Sequence, residues 1–238
     1  MNTTAKWQLI LGLAAMAGTA HPAAANPAAD HTFTIHVRNY ARVDSKTIAQ
    51  AEKVASRIFQ QAGVVSQWAD APVPGQDSSN APDQQAVGLS DLRVNILPAA
   101  MSDKWNLAAG VTGLAPGEGP NRVLAYIFYN RVEEMQRRHL EAFQRKDADF
   151  PLPVADLLGT AIAHEVGHIL LNLAIHSKTG IMRGNWDLGV LQDSIYGCLY
   201  FTKDQEKTMQ AEVARRARQQ ESLSAAATPD EHLTLPLR

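Results

Sequence analysis

The stretch that most constrains this chain begins near Val154 and carries Ala163-His164-Glu165-Val166-Gly167-His168. Pro151 and Pro153 break whatever precedes it, and an apolar helical pattern then runs through the motif. Leu157, Leu158, Ala161 and Ile162 share faces with the histidines, so one side of this helix is buried beside them. Residues four apart on a helix lie on one face, separated by ~6 Å of rise and ~40° of rotation. That placement suits two imidazole nitrogens meeting one metal ion at ~2.0–2.1 Å. Glu165 falls beside the metal face rather than on it, so it can take a proton from an activated water without becoming a ligand.

Two histidines and water make a weak site, since a catalytic zinc usually has three protein ligands and an open position. His176 is the candidate third ligand, eight residues past His168, where the chain can span ~26 Å. The chain must leave the helix and turn back, and Asn172 is placed to supply a left-handed residue at the helix end. Read alone, His176 is a surface histidine in a polar loop, His176-Ser177-Lys178-Thr179-Gly180; beside the motif the ligand reading wins. Met182, just beyond, reads as a packing methionine.

Upstream, Phe33, Ile35 and Val37 alternate with Thr34, His36 and Arg38 as a half-buried strand. Asp44 or Ser45 then caps a helix with the apolar stripe Ile48, Ala51, Val54, Ile58 and Phe59, ended by Gly63. Further strands are expected at 64–68, 92–97 and 123–129, with a short edge strand at Gly110, Val111, Thr112, Gly113 and Leu114. Residues 71–90 read as a loop, and residues 132–146 as a solvated, charge-laced helix. Leu199-Tyr200-Phe201 reads as a strand, with Cys198 as a small buried hydrophobe. Thr202 and Gln205 form a capping box for a final helix to about Gln219. The fold class expected is α+β, a small mixed sheet with a site helix and a C-terminal helix.

The first residues look like an export leader: Lys6, an apolar run from Trp7 to Ala17, and the small residues Ala23-Ala24-Ala25 before Asn26. The expected organisation is therefore a leader at 1–25, one domain at 26–221 and a loose tail at 222–238, working outside the cytoplasm, in the periplasm or secreted. A net charge of −2 gives no field favouring nucleic acid or an anionic membrane. The apolar run is too short to span a bilayer comfortably, so no stable membrane insertion is expected once the leader is gone. One cysteine allows no intrachain disulfide, so stability must come from the core. The expected state is a monomer.

The segment His164-Glu165-x-Gly167-His168…His176-Ser177…Gly180-Ile181-Met182 resembles the metzincin zinc metallopeptidases, most closely the matrixin style. The resemblance implies one Zn2+ ion held by His164, His168 and His176, with Glu165 as catalytic base and Met182 as the methionine of the turn beneath the metal. It implies a peptide or protein substrate laid along the edge strand at 110–114. Metzincins carry a glycine three residues past the second histidine and the third ligand three further on. Here those positions are Leu171 and Ala174, and the third histidine comes two residues later. No tyrosine follows Met182 closely; Tyr196 is a weak substitute and reads more simply as packing. Two alternatives stay open. Gly189-Val190-Leu191-Gln192-Asp193-Ser194-Ile195-Tyr196-Gly197 is similar to the aspzincin pattern, which would make Asp193 the third ligand. A non-catalytic zinc-binding module on the same fold is the other.

Overall fold

The computed structural model describes residues 31–71, 73, 88–108, 110–148 and 150–227. The leader, most of the 71–90 loop and the last residues of the tail lie outside the described residues.

The alternation at the start of the domain forms strand β1 (Thr32–Asn39), which buries Phe33, Ile35 and Val37. Helix α1 (Ser45–Gln61) follows, capped by the Asp44 carboxylate, which accepts the Thr47 N–H at 3.0 Å. Its buried stripe is Ile48, Ala51, Val54, Ala55, Ile58 and Phe59, the 3.6-residue period expected of a helix packed on a sheet. The chain returns as β2 (Val65–Asp70), parallel to β1, and then as β3 (Asp91–Leu97), parallel to β1 on its other side. β3 is central, so Leu92, Val94, Asn95, Ile96 and Leu97 are all buried. A short helix α2 (Ala99–Ser102) and a single 3-10 turn lead to β4 (Gly113–Leu114) and β5 (Leu124–Phe128).

The five strands lie in the order β2-β1-β3-β5-β4. The first four are parallel; β4 alone runs antiparallel, pairing Gly113 with Ile127 and Leu114 with Tyr126. This is the mixed sheet of an α+β domain. The edge strand is shorter than the 110–114 span expected, because Gly110 adopts a left-handed φ of +87° and the Val111 N–H turns back to Ala108. One further ladder bond extends it, Phe128 N–H to the Thr112 carbonyl at 2.8 Å.

Three helices follow, the first and third both packed against the second. α3 (Tyr129–Gln144) carries the expected solvated ion pairs, with Glu134 bridging Arg137 and Arg138. α4 (Val154–Leu170) is buried along nearly its whole length and packs most extensively on α1. α5 (Leu188–Ile195) is short, capped by Asp187 through the Val190 N–H at 3.0 Å. The last helix, α6 (Lys203–Ala227), begins at the expected capping box: Thr202 N–H donates to Gln205 Oε1 at 2.9 Å and Gln205 N–H to Thr202 Oγ1 at 3.4 Å. It runs to Ala227 rather than ending near Gln219, so the first residues of the expected tail are helical.

Two neighbouring expectations are overturned. Residues 198–201 form no strand, and the Cys198 thiol is exposed rather than buried. Leu199 and Phe201 are apolar because they enter the core, without ladder pairing on either side. Among the described residues no helix is long and apolar enough to cross a membrane.

Candidate metal centre

His164 and His168 lie one turn apart on α4, and both are more than nine-tenths buried. Each ring is oriented by a backbone carbonyl: Ile181 O lies 2.7 Å from His164 Nδ1, and Leu173 O lies 2.9 Å from His168 Nδ1. A carbonyl can only accept, so each Nδ1 carries the hydrogen and each Nε2 is left with its lone pair. The two Nε2 atoms stand 3.1 Å apart. No hydrogen is left to lie between them. Two ligands of a tetrahedral ion at ~2.05 Å would be about 3.3 Å apart, so this spacing fits a shared cation. Burial pushes the His164 ring down to about 3, and pushes His168 down as well. Both rings therefore stand in the neutral, ligating form.

The end of α4 sets up the third histidine. Asn172 has φ +51°, the left-handed residue the reversal requires. Asn172 N–H donates to Ile169 O at 3.2 Å and Leu173 N–H to His168 O at 3.2 Å, the paired bonds of a Schellman motif. This turn aims the Leu173 carbonyl back at the His168 ring. The chain then swings out through the largely exposed Ile175 and returns at His176, so the long connection is absorbed as an outward loop. The His176 ring centroid lies 5.2 Å from that of His164 and 5.0 Å from that of His168. The three candidate ligand nitrogens all fall within 4.8 Å of one another. His176 is exposed, and the Gly184 backbone lies against its ring. Three converging imidazole nitrogens, two oriented from behind by carbonyls, form a donor set that can hold one metal ion.

Met182 is fully buried, its sulfur close to Gly167 of α4. A Cβ at Gly167 would sit 2.6 Å from the Met182 sulfur and 2.8 Å from the Phe201 ring. A larger residue at Gly167 would push the Met182 and Phe201 side chains away from α4. The turn at Met182 is tied down by Ile181 N–H to Tyr200 O at 2.9 Å and by Ser177 N–H to Met182 O at 2.8 Å.

Glu165 faces a cleft of about 620 Å³ together with the three histidines. Its carboxyl is buried, which pushes it up to about 8, and the Ala115 backbone N–H bonded to it opposes that rise. Residues Gly110 to Glu118 form one wall of the cleft, so all five expected edge residues line it. Gly113 presses on the carboxylate side chain: a Cβ there would overlap Glu165 Cγ and lie 2.7 Å from Cδ and Oε1.

The alternative ligand is not brought to the site. Asp193 is exposed on α5 and belongs neither to the histidine cluster nor to the cleft lining. Tyr196 is also outward, packed edge-on against Phe150 with ring centroids 6.0 Å apart. Two cleft residues carried no signal in the sequence. Trp186 stands T-shaped 5.4 Å from the His164 ring, its indole N–H on Arg183 O at 3.1 Å. Arg122 lies buried at the cleft floor. No family model matches the chain, and no curated protein matches it.

Proposed function

We propose that this chain is an exported, zinc-dependent endopeptidase of metzincin type, acting as a monomer on peptide or protein substrates. The observation that carries the proposal is one cleft holding three convergent histidine nitrogens and a buried, non-ligating carboxylate. The short antiparallel strand β4 at the sheet edge and the buried Met182 against Gly167 of α4 support the family reading. Export rests on the leader-like residues 1–25.

His164, His168 and His176 are the residues that would hold the ion, and three imidazoles with an open position suit zinc. When bound, the ion supplies Lewis acidity, making water nucleophilic near neutral pH and polarising a carbonyl. Glu165 is the proton carrier. Beside a bound cation its carboxyl would ionise despite burial, accept the proton of the attacking water and, as the acid, return it to the departing amine. The Ala115 N–H holds that carboxylate, and Gly113 leaves no room for it to swing toward the strand. β4 ends the sheet and lines the cleft, so an extended peptide can pair along it as an added strand.

The test is metal content of the purified protein together with cleavage of an unbiased peptide mixture, with and without phenanthroline. Wild type should hold about one zinc per chain and cleave, while Glu165→Gln should keep the zinc and lose cleavage. Zinc bound with no cleavage of any peptide would replace this reading by the non-catalytic binding module. Absence of bound metal would sink both.

A further inference from the structure

Arg122 follows Pro120 and Asn121 in the turn before β5, and it is 8% exposed. Its guanidinium reaches both sides of the cleft. Nη1 donates to Ala115 O at 3.4 Å and Gly117 O at 3.3 Å on the edge loop. Nη2 donates to His168 O at 2.5 Å, at the end of the site helix, and more distantly to Leu173 O at 3.5 Å. Among the described residues it meets no carboxylate, and its Nε has no partner. Burying a cation without a counter-ion costs several kcal/mol unless hydrogen bonds offset it, and here the offset comes from these backbone carbonyls. Its backbone is pinned from below as well: Arg216, 1% exposed on α6, donates to Arg122 O and to Pro120 O, each at 2.9 Å.

Two of the carbonyls at the edge of its reach belong to the site. Leu173 O is the group that orients the His168 ring. Ala115 is the residue whose N–H holds the Glu165 carboxylate. We propose that Arg122 is a positioning residue that locks the ligand-orienting carbonyl of Leu173 and the base-holding peptide of Ala115 into one frame. It acts through these backbone groups, fixing His168 and Glu165 relative to each other. This inference rests on the reading of His168 as a metal ligand.

The simplest rival is a helix-capping arginine, which would matter for stability alone. Cobalt(II) uptake by the apoprotein distinguishes the two, read as affinity by chelator competition and as the visible ligand-field spectrum. Arg122→Ala and Arg122→Lys should each bind cobalt about 10–100-fold more weakly, the range for losing an outer-shell partner. Their ligand-field bands should be displaced from wild type. Added methylguanidine should restore affinity to Arg122→Ala in part. A folded variant with wild-type cobalt affinity and spectrum, showing only a lower Tm, overturns the inference. Should Arg122→Ala fail to fold, Arg122→Lys decides by the same two readouts. A wild type that takes up no cobalt rejects the metal reading itself and this inference with it, so the two failures are separable.

Discussion

Gly113→Ala tests the contact between the edge strand and the proposed base. Gly113 does not occupy a left-handed backbone, so alanine carries no conformational penalty there and the effect is one of contact. The new methyl would lie 2.7 Å from Glu165 Cδ and Oε1, about 1 Å inside the ~3.5–4.0 Å at which such atoms pack. Glu165 is buried on α4 and bonded to Ala115 N–H, which resists its displacement into the cleft. Either the carboxylate or the strand must therefore move by about 1 Å. A displacement of that size at a reacting group costs ~100-fold in rate, or about 2.7 kcal/mol of barrier. Overpacking adds ~1–3 kcal/mol of destabilisation. Zinc affinity should change little, because no histidine is touched. The assay is kcat/KM on a peptide taken from the mixture screen, with zinc content and Tm measured alongside. The same substitution placed in Glu165→Gln should cost far less activity, since the two act through one group. Gly113→Ala cleaving within threefold of wild type at full zinc occupancy would refute the reasoning, as would an equal loss in both backgrounds.

Replacing His164, His168 or His176 singly by Ala should weaken zinc binding beyond the ~10–100-fold of an outer-shell change, whereas Asp193→Ala should bind as wild type; equilibrium dialysis checks this. Removing the metal should lower Tm, and restoring zinc at 100 times its Kd should return about 2.7 kcal/mol, seen by calorimetry. Glu212→Gln should destabilise by about 1.5–3 kcal/mol at neutral pH, because it removes the charged partner of Arg215 and the buried Arg216. Burial raises the Glu212 carboxyl, but hydrogen bonds from Arg215 and Arg216 outweigh it and hold it below the ordinary glutamate value. Its contribution is thus present above the unfolded-state value and is lost as pH falls through the lowered folded-state value. Wild type and Glu212→Gln should converge in denaturant titrations at acid pH. Asn172→Ala should cost about 1 kcal/mol and Asn172→Gly almost nothing, since φ +51° burdens a Cβ and asparagine tolerates it better than alanine.

The parts of this molecule that were legible in the sequence are those whose physics is local. The β1 alternation, the α1 stripe, the Thr202–Gln205 box and the left-handed Asn172 each depend on neighbours within a turn or two, and each formed as read. The histidine cluster was legible for the same reason at its first two members, which share one helix face. His176 was reachable because imidazole is a chemically distinctive side chain. The misreading at 198–201 shows the limit: an apolar run signals burial, and burial does not say whether backbone partners exist. The length of β4 was hidden likewise, since it hangs on the backbone angle of Gly110.

Arg122 is the deeper case. Its acceptors are backbone carbonyls, present at every residue and so silent in any pattern of side chains. Two of them belong to residues 46 and 51 positions away. Nothing about an arginine in a Pro/Gly turn distinguishes it from a solvated one until the Schellman turn at Asn172 brings Leu173 O to it. The same turn that delivers His176 toward the cluster thus also creates the carbonyl that orients His168. That shared origin explains how the longer ligand spacing is accommodated. The extra residues fall after Leu173, in the loop through Ala174 and Ile175, and leave the anchored end of α4 undisturbed. Trimming that loop should therefore move His176 alone, while His164 and His168 keep their carbonyl partners. Cobalt binding that loses one ligand, with Tm of the apoprotein unchanged, is the expected signature; collapse of the whole site would mean that the loop, and not the helix end, holds the first two histidines in place.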